Sequence, residues 1–265
     1  LQNEREKGYA TIHTFKKVLS PAFQTAVEDD LIVKNPFNFK LSSVVENNSK
    51  TREAITVEQE EQFLNFIKES SDYSKYYEGI YILFNTGLRI SELCGLTIAD
   101  IDFNEMTLNV NKQLAKINGK YSVEEVKTAA GKRVLPLSNN VLEMFKSIIE
   151  KRRKVKKEPM FNGYSGFIFL NKSNNPMVSI DWQLAFRKIS YAYIEEYPNS
   201  KLNITPHTCR HTYCSNMAKS GINPKALQYL MGHSNIGVTL NVYTHLGLED
   251  ARAEICKILD AKKVR

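Results

Sequence analysis

Apolar residues recur at spacings of three and four through most of this chain, and at spacings of two in one stretch only. Ile12, Phe15, Leu19, Phe23 and Ala26 share one helical face over residues 10–30, with Pro21 a kink or restart inside it. Pro36 ends that region, and residues 38–52 are polar and rich in Ser and Asn, which reads as a linker. Thr56 followed by Gln59 is a capping-box pattern and opens a helix to about residue 69. A more apolar helix follows over 76–86 and breaks at Gly87. Ile90, Leu93 and Leu96 are then core positions of a short third helix. Over 101–137 the period changes. Thr107-Leu108-Asn109-Val110 alternates, and segments 123–126 and 133–137 flank Ala129-Ala130-Gly131, which predicts a small antiparallel sheet with a hairpin turn near Gly131. Helical spacing returns over 138–157 and again over 178–193, where Trp182, Ala185, Phe186 and Ile189 face inward, with a short strand at 167–170 between them. Leu248, Ala251, Ile255, Ile258 and Leu259 stripe a terminal helix at about 248–260. The fold class is mainly α with a small antiparallel β-sheet, α+β.

Composition narrows the class of partner. A chain of 265 residues holds one large or two modest domains, and 42% hydrophobic residues give material for a sizeable core. The net charge of +7 favours a polyanionic partner. No apolar run approaches the ~18 residues that span a membrane, and the first ten residues lack the apolar core of a signal peptide. Cys94, Cys209, Cys214 and Cys256 form no C-x-x-C pair, so free thiols in a cytoplasmic protein are expected. The chain opens on Leu1, which reads as a fragment or a processed product.

The chemistry gathers in residues 205–246, which hold His207, Arg210, His233 and Tyr243 in that order. His207 and Arg210 are three apart and share a face if the segment is helical. Pro206 suits a first helical turn and Thr205 can cap it. Free helical N–H groups, a guanidinium and two imidazoles suit a phosphate, and a tyrosine follows them. His207, His211 and Cys214 also fall at spacings that suit zinc on one helical face. No H-E-x-x-H or paired C-x-x-C supports that alternative, and no carboxylate cluster around these residues suits magnesium. The expectation is a site with no metal and no cofactor.

H-x-x-R, then Gly232-His233-Ser234, then Tyr243 ten residues after His233, resembles the C-terminal half of a tyrosine recombinase (phage integrase) active site. Thr86-Gly87-Leu88-Arg89-Ile90-Ser91-Glu92-Leu93 is similar to the family's T-G-x-R-x-x-E-L box, which belongs to the first half. A lone H-x-x-R carries nothing; two boxes in the right order are specific. Lys127-Thr128, followed by Arg133-Val134-Leu135-Pro136-Leu137, is similar to the K-T…R-x-x-P-L pattern of many integrases. The resemblance is strongest to integrases of phages and conjugative transposons of low-GC bacteria.

The resemblance implies a division of roles. Arg89 and Arg210 clamp the phosphate, His207 and His233 donate to the same oxygens, and Tyr243 is the nucleophile. Lys127 is the general acid, with Lys132 on the other arm its rival. Glu92 holds a clamp residue or a histidine by a hydrogen bond, against plain solvation. His211 and His245 match no catalytic position. Lys151, Arg152, Arg153 and Lys154 read either as a solvated helix end or as contacts to DNA phosphates. The implied domains are the last part of a helical core-binding, DNA-binding domain (1–38), a linker (39–52) and a catalytic domain (53–265). The implied activity is site-specific recombination that integrates and excises a mobile element through a 3′-phosphotyrosyl intermediate, without ATP. The implied partners are double-stranded DNA attachment sites, three further copies of the chain in a synaptic tetramer, and an accessory excision factor. The tail helix docks either on its own domain or, by exchange, on a neighbouring protomer. The expected place is the bacterial cytoplasm, on nucleoid DNA. A chromosome-dimer resolvase is the rival within the family, and a catalytically silent DNA-binding accessory protein is the rival outside it.

Overall fold

The computed structural model describes residues 8–47, 54–126, 128–152, 159–200, 202–244, 252, 255 and 256. The chain divides into two units, Leu1–Arg52 and Glu53–Arg265. In the first, helix α1 (Tyr9–Glu28) continues through Pro21, so proline neither ends nor restarts it. The chain then folds back on α1. Asp30 takes a left-handed conformation, Leu31 N–H donates to Ala26 O at 2.9 Å, and Phe37 meets Phe23 edge-on with ring centroids 5.1 Å apart. No described residue of α1 is buried, and Phe15, Val18, Leu19 and Phe23 all face outward. Most of the expected 39–52 linker is described, with a 3₁₀ turn at Leu41–Ser43; residues 48–52 lie outside the described set.

The second unit carries the core. Helix α2 (Val57–Glu69) starts at the capping box read from sequence: Thr56 Oγ1 accepts from Gln59 N–H and Gln59 Oε1 accepts from Thr56 N–H. The apolar helix α3 (Tyr77–Thr86) packs against α2, α5 (Asn139–Arg152) and α7 (Pro206–Lys219). It ends at Gly87, whose φ of 63° is left-handed, and this break turns the chain into α4 (Ile90–Gly95). Helix α6 (Ser179–Glu196) buries Trp182, Phe186, Ile189 and Tyr193 in the same core. Helices α8 (Pro224–Met231) and α9 (Ile236–Tyr243) close the described chain apart from Arg252, Ile255 and Cys256. The rest of the expected tail helix lies outside the described residues.

The strands depart from the expected pairing. Strands β1 (Ile101–Asp102), β2 (Thr107–Val110) and β5 (Arg133–Pro136) form one antiparallel sheet in the order β1-β2-β5, with Val110 opposite Arg133 and Leu108 opposite Leu135. Strands β3 (Lys112–Ile117) and β4 (Lys120–Glu125) form a separate two-stranded ribbon. Segments 123–126 and 133–137 are therefore not arms of one hairpin. The reason is turn chemistry. Asn118-Gly119, with φ of 50° and 80°, makes a two-residue turn that returns β4 onto β3. Ala129–Gly131 forms a 3₁₀ turn instead, closed by Gly131 N–H donating to Thr128 Oγ1. The expected strand at 167–170 reduces to isolated bridges, Phe167 with Thr97 and Leu170 with Pro176. Among the described residues, no helix is long and apolar enough to cross a membrane.

Candidate active site

Two helix ends meet where the sequence boxes meet. Gly87 caps the C-terminus of α3 and Gly232, with φ of 62°, caps that of α8. Each end offers carbonyls at the negative pole of a helix dipole. The two arginines take them between them. Arg210, on α7, donates from Nη1 to Gly87 O at 2.5 Å and from Nη2 to Met231 O. Arg89, two residues past Gly87, donates from Nη2 to Gly232 O at 2.8 Å. Arg210 thus ties the Gly87 turn, which leads into Arg89, to the end of α8, and Arg89 bonds the same end beside His233. Both glycines are required by space as well as by φ. A Cβ on Gly87 would lie 2.4 Å from the Tyr213 ring, and one on Gly232 would lie 2.9 Å from Arg133 Nη1. Arg210 is buried; burial, then the like charge of Arg89, pushes its pKa down to about 9, which leaves it cationic at neutral pH. The Arg89 side chain is 41% exposed and so can reach a ligand.

Beneath them lies a carboxylate that four N–H donors hold. Glu92 Oε2 accepts from Arg89 N–H at 2.8 Å and from Arg133 Nη2 at 2.9 Å. Its Oε1 accepts from Arg89 Nη1 at 2.7 Å and from Arg133 Nη1 at 3.0 Å. Burial pushes the Glu92 carboxyl up, but the hydrogen bonds and charge of Arg133, with those of Arg89, outweigh it, and the net shift is down. Glu92 is thus bonded to Arg89 and Arg133 and is not left to solvent. Arg133 was quoted from sequence only as part of a pattern. The R of R-x-x-P-L was the available signal, and nothing in it said that this side chain would turn inward.

His233 follows Gly232 directly. Its N–H donates to Gln228 O at 3.1 Å, and Gln228 Nε2 donates back to His233 O at 3.0 Å. Its Nδ1 lies 2.9 Å from the buried Thr239 Oγ1. Burial first, then the Arg210, Arg89 and Arg133 charges, push its pKa down to about 4, so the imidazole is neutral at pH 7. If Nδ1 accepts from the Thr239 hydroxyl, the ring proton sits on Nε2 and Nε2 becomes a donor. Thr239 went unread in the sequence, being one hydroxyl on a short apolar helix.

His207 stands exposed in the first turn of α7, one helical turn before Arg210; Thr205 caps this helix by accepting from Thr208 N–H at 3.2 Å. Tyr243 ends α9. Its hydroxyl donates to Ile222 O at 2.6 Å, and its ring packs on the small cluster of Cys214, Ala218, Leu227 and Met231. Met231 is therefore a shared wall: its side chain is in the cluster that carries Tyr243 and its carbonyl holds Arg210. Lys127 and His245 lie outside the described residues. Lys132 is exposed and pairs with Glu125 at 2.7 Å. Lys151 pairs with Glu78 near the other end of α3, and Arg152 is buried; Arg153 and Lys154 lie outside the described residues. Among the described residues, no three His, Cys, Asp or Glu side chains converge as metal ligands. Cys214 packs with apolar neighbours.

Known proteins share this sequence pattern and fold. The model of the phage integrase family matches residues 53–249. The transposase from transposon Tn916 of Enterococcus faecalis is 41% identical over 262 residues, which cover 97% of this chain and 64% of the relative. The chain thus spans just under two thirds of that relative's length. The solved Tn1549 transposon integrase in complex with transposon right end DNA superposes with a TM-score of 0.89 at 42% identity, over 97% of this chain and 82% of that one. The same integrase with a circular intermediate DNA gives 0.90 at 41% identity, with the same coverage.

Proposed function

The chain belongs to the phage integrase family, and on that premise we propose that it is a tyrosine-type site-specific DNA recombinase of a mobile element. The observation that carries this reading is the arginine pair bound to the carbonyls of the two helix ends. Two guanidiniums held by backbone carbonyls, with a neutral imidazole next to them, make a preorganised site for a single phosphodiester. A diester resists nucleophiles through its own negative charge, and that charge grows as the fifth oxygen approaches phosphorus. Donors fixed in advance stabilise the growing charge without having to reorganise.

Arg89 and Arg210 bind the non-bridging oxygens, with His233 Nε2–H and His207 beside them. The Tyr243 oxygen forms a bond to phosphorus as the bond from phosphorus to the 5′-oxygen breaks. His207 takes the phenolic proton, and Lys127 gives one to the leaving 5′-oxygen. The product is a 3′-phosphotyrosyl link and a free 5′-hydroxyl. A phenol of pKa about 10 is a fair leaving group, so a second 5′-hydroxyl can reverse the step on a partner strand with no ATP. In the free chain the Tyr243 hydroxyl is bonded to Ile222 O, so attack requires that bond to open.

Residues 1–38 act as the last part of a core-binding domain, 39–52 as a linker and 53–265 as the catalytic domain. The chain works in the bacterial cytoplasm as a tetramer on paired attachment sites, with the tail beyond Tyr243 exchanged between protomers and an accessory factor favouring excision. The relatives solved with a transposon end and with a circular intermediate support a mobile-element substrate.

A nicked suicide substrate carrying the cognate site tests the reading, on denaturing gels with EDTA present. The expected result is a covalent adduct that resists EDTA and disappears in Tyr243→Phe. An adduct that persists in Tyr243→Phe moves the nucleophile elsewhere. DNA binding with no adduct points to a silent binding module.

A further inference from the structure

Arg133 is fully buried: its side chain shows 0% exposure and cannot touch DNA. A buried charge that only filled space would be replaced without loss by an apolar side chain. This one makes bonds that only a guanidinium fork can make. Nε donates to Leu230 O at 2.8 Å, Nη1 donates to Gly131 O at 3.0 Å, and Nη1 and Nη2 both donate to Glu92. Three segments thereby converge on one side chain: the turn Ala129–Gly131, the end of α8 just before Gly232 and His233, and the α4 turn that fixes Arg89. A lysine, with one nitrogen, could not span these acceptors.

The turn matters because of what flanks it in sequence. Lys127 precedes Thr128, which caps the turn, and Lys132 follows Gly131. Either candidate for the proton donor is thus within three residues of a turn held to the Arg89 platform by Arg133 alone among the described side chains that contact Gly131 O and Glu92 together. The fit is close, since Arg133 Nη1 would lie 2.9 Å from a Cβ on Gly232.

We propose that Arg133 is a positioning residue that locks the proton-donating turn to the phosphate clamp, so that protonation of the leaving 5′-oxygen keeps step with attack. The inference rests on the recombinase reading above. It predicts a selective defect: DNA affinity is kept, while the step that needs a proton on the leaving group slows.

The test is single-turnover adduct formation by the full chain on two nicked substrates, one natural and one with sulfur in place of the bridging 5′-oxygen. A thiolate leaves without protonation, because its pKa of about 8.5 lies far below that of an alcohol. Arg133→Met is expected to slow cleavage of the natural substrate on the order of 10²-fold, the scale of a small misplacement of a reacting group. Its DNA affinity should stay within about threefold and its salt dependence should not change. On the sulfur substrate its rate should return to within about tenfold of the parent. Arg133→Lys should fall between parent and Arg133→Met on the natural substrate, with the same recovery; it decides the matter if a melting curve shows that Arg133→Met is unfolded. An equal loss on both substrates, a weaker DNA affinity with a shallower salt slope, or parent-like rates would each overturn the inference. Absence of an adduct from the parent chain would instead sink the recombinase reading itself.

Discussion

Gly87, Gly232 and Thr239 touch no substrate in this scheme, yet each sets a residue that does. Gly87→Ala must place a Cβ at φ of +63° against the Tyr213 ring. The left-handed conformation costs about 1–2 kcal/mol, and overpacking adds about 1–3 kcal/mol. A urea-unfolding comparison should show a loss of a few kcal/mol, and a loss below about 0.5 kcal/mol would contradict this account. Thr239→Val removes the hydroxyl beside His233 Nδ1 and keeps the shape. Cleavage should slow by about tenfold while DNA affinity holds, because the ring loses the partner that sets its tautomer. His233 also predicts a pH effect. Its folded pKa of about 4 lies below the ordinary 6.5, so between these values the unfolded chain binds more protons. Its contribution to stability is full above about pH 6.5 and is lost as pH falls towards 4. The lowered Glu92 carboxyl adds a loss of the same sign at lower pH. Urea midpoints at pH 7 and pH 5 should fall with acid, and nitrogen chemical shifts of His233 should show titration below pH 5, moving upward when DNA supplies a phosphate.

At the scale of elements, helix ends carry most of what the sequence made legible. Thr56 with Gln59 and Thr205 before Pro206 each cap the helix they precede. Thr56→Ala should cost about 1 kcal/mol, read from the shift of the unfolding midpoint. These ends are legible because capping is local: side chain and N–H groups lie within three residues. Strand pairing is not local. Residues 123–126 and 133–137 both read as strands, and sequence joins them across Gly131. The structure separates them because Asn118-Gly119 is the better two-residue turn and β2 is the partner of β5.

For the whole molecule, charge and burial separate. In the recombinase reading the net charge of +7 governs approach to DNA, so affinity should fall steeply as salt rises. Charge neutralisation of Arg89 should reduce the slope of log affinity against log salt by about one, since it is the exposed arginine of the pair. The same measurement on Lys151→Ala discriminates the two readings of the basic helix end: no change in slope means that its pairing with Glu78 is its whole role.

The sequence by itself determined most of the helices up to α7, the caps at Thr56 and Thr205, the family boxes and the identities of Arg89, Arg210, His207, His233 and Tyr243 as candidates. It could do so because spacing along a helix, turn chemistry and motif order are written in neighbouring residues. Only the tertiary structure decided that Arg210 bonds Gly87 O and Met231 O while Arg89 bonds Gly232 O, that Glu92 sits between Arg89 and Arg133, and that the Tyr243 hydroxyl bonds to Ile222 O. Those facts join residues up to 143 positions apart. Their partners are mostly backbone carbonyls, which every residue possesses, so no side-chain pattern could single them out.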